Sequence, residues 1–316
     1  MRPTSFLTYN MCMKNTKKTL SILLFLIAAA CLLAAIFLIG RGHIQNRHSQ
    51  QLLEELRPDT VSTEETEETD TTQEIQEDAT QETISNETTE TVPSETETEE
   101  TIPDEPETDL TLIAVENPYR DSYLTNSDMV GWLQIPGTNI DYPVMWTPAD
   151  ENYYLYRAFD GSDNKNGSLI LDTDSSLDPL TTNLIIHGHN MRSGEMFGNL
   201  TDYEDPDYFE GHKQIILYTQ ECQRNYEIIA VFRSQVYKKN DQVFKFYKFF
   251  QADSQEEFDD FYKNIKDLAL YDTGVTAQFG DHFITLSTCV YHVEQGRFVV
   301  VAKEVEPSDH YLPITE

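Results

Sequence analysis

The stretch Thr285-Leu286-Ser287-Thr288-Cys289 lies near the C-terminus, where it closes an apolar strand and ends in a cysteine. Eight residues later, Arg297 opens a second apolar stretch at residues 298–302. Short apolar runs of this kind predict two neighbouring strands, with the thiol and the guanidinium at facing ends. Because a thiol becomes a strong nucleophile only as the thiolate, which a fixed cation favours, this pattern predicts a reactive cysteine.

A third apolar stretch, about a hundred residues upstream, ends in histidines. Residues 183–191 read Asn-Leu-Ile-Ile-His-Gly-His-Asn-Met. Alternation places His187 in the strand, whereas His189 follows a glycine in a turn. Histidine is the usual acid–base partner of a catalytic cysteine. His282 and His292 flank the cysteine strand and are alternatives by sequence proximity alone.

Four further segments carry a family pattern. They are residues 130–144 (Val-Gly-Trp-Leu-Gln-Ile-Pro-Gly-Thr-Asn-Ile-Asp-Tyr-Pro-Val), 152–155 (Asn-Tyr-Tyr-Leu), 167–172 (Gly-Ser-Leu-Ile-Leu-Asp) and 194–197 (Gly-Glu-Met-Phe). Together with the cysteine, histidine and arginine motifs, they resemble the class B sortases over roughly residues 115–306. One departure is His187, because class B members often carry Tyr two residues before the catalytic histidine.

The resemblance implies a mainly β fold, a sortase-like closed β-barrel with N-terminal helices and one long helix before the last strands. It implies that Cys289 is the nucleophile, His189 the acid–base and Arg297 the donor to the oxyanion. Residues expected to contact substrate are Ser287, Thr288, His187 and Asn190. No cofactor is implied, and the chain has no paired-cysteine or His-Glu-x-x-His metal motif. A strand-end salt bridge is the alternative role for Arg297.

The implied function is a membrane-anchored cysteine transpeptidase. Such an enzyme cleaves a C-terminal sorting motif after Thr through a thioacyl-enzyme, and transfers the surface protein to an amine of a cell-wall precursor. A pilin-polymerising sortase, whose acceptor is a Lys of another protein, is the alternative within the family. A non-catalytic cell-surface binding domain is the alternative outside it.

The pattern of the last 200 residues also predicts a β-rich domain without reference to any family. Short apolar segments recur between turn signals, which is typical of an antiparallel barrel or sandwich. One amphipathic helix interrupts them. Ser254 and Glu257 form a capping box at its start, and apolar residues follow at helical spacing. These residues are Phe258, Phe261, Tyr262, Ile265 and Leu268.

Charge divides the chain into three parts. Residues 1–53 contain six Lys or Arg and no acid, whereas residues 54–110 contain 22 Asp or Glu and one Arg. Residues 111–316 contain 33 Asp or Glu and 15 Lys or Arg, and the formal net charge of the whole chain is −33. An acidic balance this strong argues against nucleic acid as a partner.

Residues 20–40 form an uncharged apolar run near the N-terminus. As a helix this run spans about 30 Å, the thickness of a hydrocarbon core, which predicts a transmembrane anchor. A cleaved signal peptide is the alternative, but its apolar region is usually shorter. More basic residues precede the run than follow it, so residues 1–19 are expected in the cytoplasm and the rest outside, at a Gram-positive-type cell surface.

Residues 41–110 are predicted to form an acidic stalk. Residues 58–109 are mostly Thr and Glu with scattered Pro, which cannot bury enough apolar surface to offset the entropy of ordering. Disorder is therefore expected there, in a stalk that lifts the catalytic domain at residues 111–316 above the bilayer.

Two other features of the chain remain open at this level. Cys222 is the second cysteine expected outside the membrane, so a Cys222–Cys289 disulfide is an alternative to two free thiols. Residues 312–316 read Leu-Pro-Ile-Thr-Glu, which resembles a sortase recognition pentapeptide without the glycine, apolar tail and basic residues that normally follow one.

Overall fold

A computed structural model gives the fold of residues 5–58, 115–290, 293–305, 311–312 and 314, with side chains from residue 23 onward. The helices are α1 Ser5–Leu56, α2 Arg120–Thr125, α3 Pro206–Gly211 and α4 Gln255–Leu268. The strands are β1 Met129–Gln134, β2 Asp141–Met145, β3 Leu169–Leu171, β4 Asn183–Gly188, β5 Gln214–Tyr218, β6 Gln223–Gln235, β7 Phe283–Cys289 and β8 Gly296–Val305.

The eight strands close into a barrel in the order β1-β2-β3-β4-β7-β8-β6-β5, with β5 pairing back to β1. Closure gives every strand two neighbours and so removes the exposed edges of an open sheet. Two pairs, β2–β3 and β4–β7, are parallel, and the other pairs are antiparallel. The prediction of a mainly β, closed barrel with an N-terminal helix is confirmed.

Strand alternation divides the apolar residues between two cores. Along β8, Phe298 and Val300 belong to the cluster that fills the barrel. Val299 and Val301 point the other way, into a second cluster shared with Phe261 of α4. Successive side chains of a strand point to opposite faces, so one apolar run supports both cores.

Helix α4 begins as the sequence predicts. The Ser254 hydroxyl accepts a hydrogen bond from the amide of Glu257, whose carboxylate accepts from the amide of Asp253 at 2.8 Å. This capping box satisfies amides that have no partner inside the helix. The buried face of α4, including Phe258 and Ile265, covers the outer surface of β6, β7 and β8.

Helix α1 is longer than the apolar run that it contains. The described residues Leu23–Leu56 include a window with a mean hydropathy of 2.9, none of it buried, which is long and apolar enough to cross a membrane. The helix then continues to Leu56, where Leu53 is buried in the barrel core. A stalk that starts at residue 41 is therefore wrong for residues 41–56. Residues 59–114, which hold most of the predicted stalk, lie outside the described residues.

Candidate active site

Strand register brings the predicted cysteine and arginine together. Cys289 is the last residue of β7 and pairs directly with Arg297 near the start of β8. Because β4 and β7 are parallel, their C-terminal ends meet at the same rim, where Gly188 pairs with Thr288. His189, the next residue, therefore lies beside the end of the cysteine strand. Cys289, Arg297 and His189 all line one cavity of about 460 Å³, together with His187.

The thiol of Cys289 is free and exposed, whereas Cys222 is free and buried. The Sγ atom of Cys222 lies 3.7 Å from the hydroxyl oxygen of Thr219 and forms a hydrogen bond with it. The disulfide alternative is therefore wrong. An accessible thiol that lies in a cleft beside a cation meets the requirements for a nucleophile.

Two side-chain hydrogen bonds link the end of the cysteine strand to the histidine segment. The Asn190 side-chain amide donates to the carbonyl of Cys289 at 2.9 Å. The Thr288 hydroxyl donates to the carbonyl of Gly188 at 2.7 Å. Both bonds join the end of β7 to the end of β4, so they hold the cysteine and histidine segments in one arrangement.

The ring of His189 is oriented by a backbone carbonyl. Its Nε2 lies 2.8 Å from the carbonyl oxygen of Leu155. Because a carbonyl can only accept a hydrogen bond, Nε2 carries the proton in this contact. Nδ1 is then the nitrogen available for proton transfer. The ring of Tyr156 lies beside the His189 ring, and the centroids of the two rings are 5.4 Å apart.

The turn around His189 requires a glycine on one side. A Cβ at Gly188 would lie 2.6 Å from side-chain atoms of Leu169 and of Phe197. After the histidine the chain folds back, and the amide of Phe197 donates to the carbonyl of His189 at 3.0 Å. The Gly-His motif is thus explained by close packing at the position before the histidine.

His187 lies in the same cavity but has a different partner. Its Nε2 lies 3.0 Å from Oδ2 of Asp172, and the side chains are 39% and 22% exposed. Burial alone would raise the pKa of Asp172, but the hydrogen bonds that it accepts and the nearby positive charge lower it below its ordinary value of 3.8. Asp172 is therefore an ionised group of the cavity wall that sequence reasoning did not assign.

Arg297 holds its own loop. Its Nη1 donates to the carbonyls of Gly296 at 3.0 Å and of Gln295 at 3.3 Å. Within residues 23–58, 115–290 and 293–305, no carboxylate lies within ion-pair distance of it, so the salt-bridge alternative is not supported. Gln295 has a φ of 57°, in the left-handed region, where the loop turns into β8.

The other predicted residues have distinct surroundings. Ser287 pairs with His187 across β4 and β7 and lines the cavity, with its hydroxyl buried and unpaired among the described residues. His282 lies at the opposite end of β7, where its Nδ1 contacts the carbonyl of Thr181 at 3.1 Å. His292 falls outside the described residues.

The C-terminal pentapeptide is only partly described. The amide of Leu312 donates to the carbonyl of Val115 at 3.0 Å, and Ile314 packs against the barrel core. Neither residue lines the cavity that contains Cys289.

Comparisons with known proteins agree with this geometry. A sortase-domain family model matches residues 133–305, more than half of the chain. Sortase B of Listeria monocytogenes is 33% identical over 195 residues, which cover 60% of this chain and 75% of that protein.

The chain is also similar to solved structures of sortase B proteins. A Staphylococcus aureus sortase B–substrate complex is 26% identical, with a TM-score of 0.55, covering 62% of this chain and 88% of that chain. Bacillus anthracis sortase B in complex with AAEK1 is 29% identical, with a TM-score of 0.53, covering 62% and 90%.

The chain therefore belongs to the sortase family, whose members are cysteine transpeptidases of the cell surface that act on surface proteins. Within that family it is a class B sortase, as the resemblance in the sequence predicts.

Proposed function

We propose that Cys289, His189 and Arg297 cleave a sorting motif after its Thr and transfer the surface protein to an amine of a cell-wall precursor. The observation that carries this proposal is the register at the barrel rim. Cys289 of β7 pairs with Arg297 on one side. On the other side, β4 runs parallel to β7 and ends next to it, so His189 follows directly at the same rim. Nucleophile, acid–base and cation therefore converge at one edge of the cavity.

Acylation begins with the thiolate of Cys289. It attacks the carbonyl carbon of the Thr, forming a C–S bond and a tetrahedral oxyanion. Arg297 donates to that oxyanion, since a guanidinium gives strong charge-assisted hydrogen bonds. Collapse breaks the C–N bond, and His189 gives its proton to the leaving amine. The product is a thioester between Cys289 and the surface protein.

Transfer reverses the proton path. An amine of the acceptor attacks the thioester carbon and gives a proton to His189, so the neutral histidine left by acylation acts as the base. Collapse of the second tetrahedral state breaks the C–S bond and releases the thiolate of Cys289. The Leu155 carbonyl holds the His189 ring through both steps by accepting from Nε2.

The proposed substrate-contact residues divide into two kinds. His187 and Ser287 lie two residues before His189 and Cys289 on adjacent strands and line the same cavity. They form the wall along which the sorting peptide extends. The side chains of Thr288 and Asn190 donate hydrogen bonds to the carbonyls of Gly188 and Cys289, respectively. They therefore shape the groove by holding its strands together.

Helix α1 anchors the protein in the membrane in this mechanism. Residues 20–40 cross the bilayer with residues 1–19 in the cytoplasm, because most of the flanking basic residues precede the span. The barrel is then extracellular. Its substrates are surface proteins with a C-terminal sorting signal, which reach the same side of the membrane.

Mass spectrometry of the full chain in detergent micelles tests this proposal. Candidate sorting peptides are added, and the peptide that contains Cys289 is examined for an adduct ending in Thr. The adduct should form, then disappear when an oligoglycine or a diaminopimelate-like amine is added. Cys222→Ala is the matched control, because it removes a buried thiol and should leave the adduct unchanged.

The outcomes separate the alternatives. Release of the adduct only by a Lys of another protein would identify a pilin-polymerising sortase. Tight binding of wall material without any adduct on Cys289, for every class of sorting peptide, would identify a binding domain instead.

A further inference from the structure

The end of helix α1 packs against the catalytic barrel. We call residues 41–57 the docking segment. Ser49 and Leu53 are buried there, and Leu52 and Leu56 pack against the barrel core. On the side facing the membrane run, Arg41 lies 3.4 Å from Asp163. The docking segment is therefore part of the folded domain, with contacts that extend from Arg41 at one end to Arg57 at the other.

Two buried asparagines of a barrel loop depend on the docking segment for hydrogen bonds. The side-chain amide of Asn164 donates to the Ser49 hydroxyl at 2.9 Å, and that of Asn166 donates to Asn46 at 2.7 Å. Both asparagines are 2% exposed. A buried amide without a partner is destabilising, so these contacts fix the position of the loop.

The same loop holds the ring of His189. The backbone N–H of Asn164 donates a hydrogen bond to the backbone carbonyl of Tyr156 at 2.9 Å. Leu155, the residue before Tyr156, provides the carbonyl that accepts from His189. A Cβ at Gly167 would lie 2.3 Å from that carbonyl oxygen, so the loop packs tightly behind it. Three links therefore connect Ser49 to the His189 ring.

A second path reaches the backbone of His189. Gln50 donates to Glu195 Oε1 at 2.6 Å, and Asn166 donates to Glu195 Oε2 at 2.8 Å. Glu195 lies in the turn that returns to the histidine, where the amide of Phe197 bonds the His189 carbonyl. The docking segment thus contacts both the loop that supports the His189 ring and the turn that supports the His189 backbone.

We propose that the docking segment positions His189, with Ser49 and Asn164 as positioning residues on the ring side and Gln50 and Glu195 on the backbone side. The inference rests on the proposed role of His189 as the acid–base. It makes the membrane-proximal helix a support of the catalytic geometry in addition to an anchor. A small displacement of a catalytic group is costly, since a 1 Å shift can cost about 10²-fold in rate.

The main test compares two substitutions of nearly equal shape in the full chain in detergent micelles. Ser49→Val removes the acceptor of Asn164, whereas Ser49→Thr keeps it. We expect Ser49→Val to lower kcat about tenfold with KM within about twofold, and Ser49→Thr to stay near the parent. Gln51→Val, at an exposed position of the same helix, controls for the β-branched side chain.

A second readout needs no peptide substrate. The folded chain is alkylated with iodoacetamide at a series of pH values, and the label on Cys289 is then measured after digestion, on the peptide that contains this residue. The alkylation rate reports the protonation of the thiol and of its histidine partner. The profile should shift in Ser49→Val and not in Ser49→Thr. If both variants match the parent profile, or if Ser49→Val lowers only Tm while kcat per folded molecule is unchanged, the inference is wrong.

A charge swap tests the other path and covers the case in which Ser49→Val does not fold. Gln50→Glu places two carboxylates together and should slow turnover, whereas adding Glu195→Gln restores a donor and an acceptor and should recover the rate. No recovery in the double variant would overturn the backbone-side path. If the parent never acylates at Cys289, the proposed function fails, while the alkylation profiles still decide whether the docking segment acts on the site.

Discussion

His187 and His189 lie two residues apart in the same cavity wall, yet their surroundings differ. His187 contacts the carboxylate of Asp172 at 3.0 Å, and Ser287 lies opposite. His189 contacts a neutral backbone carbonyl at 2.8 Å, beside the end of the cysteine strand. We call the first region the His187 end of the groove and the second its catalytic end.

Under the proposed function, the difference assigns chemistry to one end of the groove and substrate binding to the other. At the catalytic end, the carbonyl of Leu155 fixes the tautomer of His189 and adds no charge, so Nδ1 remains able to take and give a proton. At the His187 end, an ionised carboxylate occupies the imidazole and fixes its orientation. We therefore expect substitutions at the two ends to differ in kind as well as in size.

The largest effect is expected from Cys289→Ala at the catalytic end. Without the thiol no acyl-enzyme forms, so peptide cleavage should fall by more than about 10³-fold, while circular dichroism stays unchanged. Cys222→Ala provides the comparison within the same chain and should keep activity within about threefold. Residual cleavage within tenfold of the parent in Cys289→Ala would contradict the assignment of the nucleophile.

Next in size is His189→Ala. General acid–base catalysis is typically worth about 10² to 10⁴, and kcat/KM should fall by that factor. His187→Tyr restores the residue that is common in class B members and should cost less than about tenfold. The measurement is kcat/KM for both variants on one peptide, and a greater loss in the His187 variant would reverse the comparison.

Arg297→Lys should lower kcat by about 10² with little change in KM. Lysine keeps the charge but lacks the planar fork that can bond both the loop carbonyls and a developing oxyanion. Separate determination of kcat and KM checks this expectation. A large rise in KM with kcat preserved would instead assign Arg297 to substrate binding.

The smallest effect is expected at the His187 end, from Asp172→Asn. The folded-state pKa of Asp172 is below its ordinary value of 3.8, so ionisation stabilises the fold above that pH, and the contribution is lost as pH falls through the lowered pKa. The variant should therefore melt below the parent at pH 7, and the difference in Tm should shrink as the pH falls below about 4. An equal difference at pH 7 and pH 3 would show that the carboxylate charge is not the cause.

Side-chain motifs were predictable from the sequence, whereas their supporting contacts were not. The positions of Cys289, Arg297 and His189 follow from motifs at strand ends, and the capping box predicts the start of α4. The Leu155 carbonyl has no signature, because every residue has a carbonyl. Asp172 meets His187 only through the antiparallel pairing of β3 and β4, which no local pattern specifies.

Composition predicts a stalk in place of the docking segment for a related reason. Residues 41–56 are polar and follow an obvious membrane run, so composition favoured a stalk. The side of the helix that carries Ser49 and Leu53 becomes buried only because the barrel provides a surface for it. Tertiary contacts of this kind override the local preference of a segment.

The described residues that flank positions 59–114, up to Pro58 on one side and from Val115 on the other, belong to one compact unit. Just before it, Arg57 lies 2.8 Å from Asp141 of the barrel. Just after it, Val115 forms a bridge with Tyr311. Arg57 and Val115 are therefore both held by contacts with the folded domain.

Because residues 41–57 contact the barrel directly, the connection between the apolar run and the catalytic domain does not depend on residues 59–114. With residues 20–40 in the membrane as proposed, the contact between Arg41 and Asp163 holds that face of the barrel beside the end of the span. The attachment of the barrel to the span and the acidity of residues 59–114 are thus separate properties of the chain. Insertions or deletions in residues 59–114 should therefore change the charge of the chain without changing the contacts between residues 41–57 and the barrel.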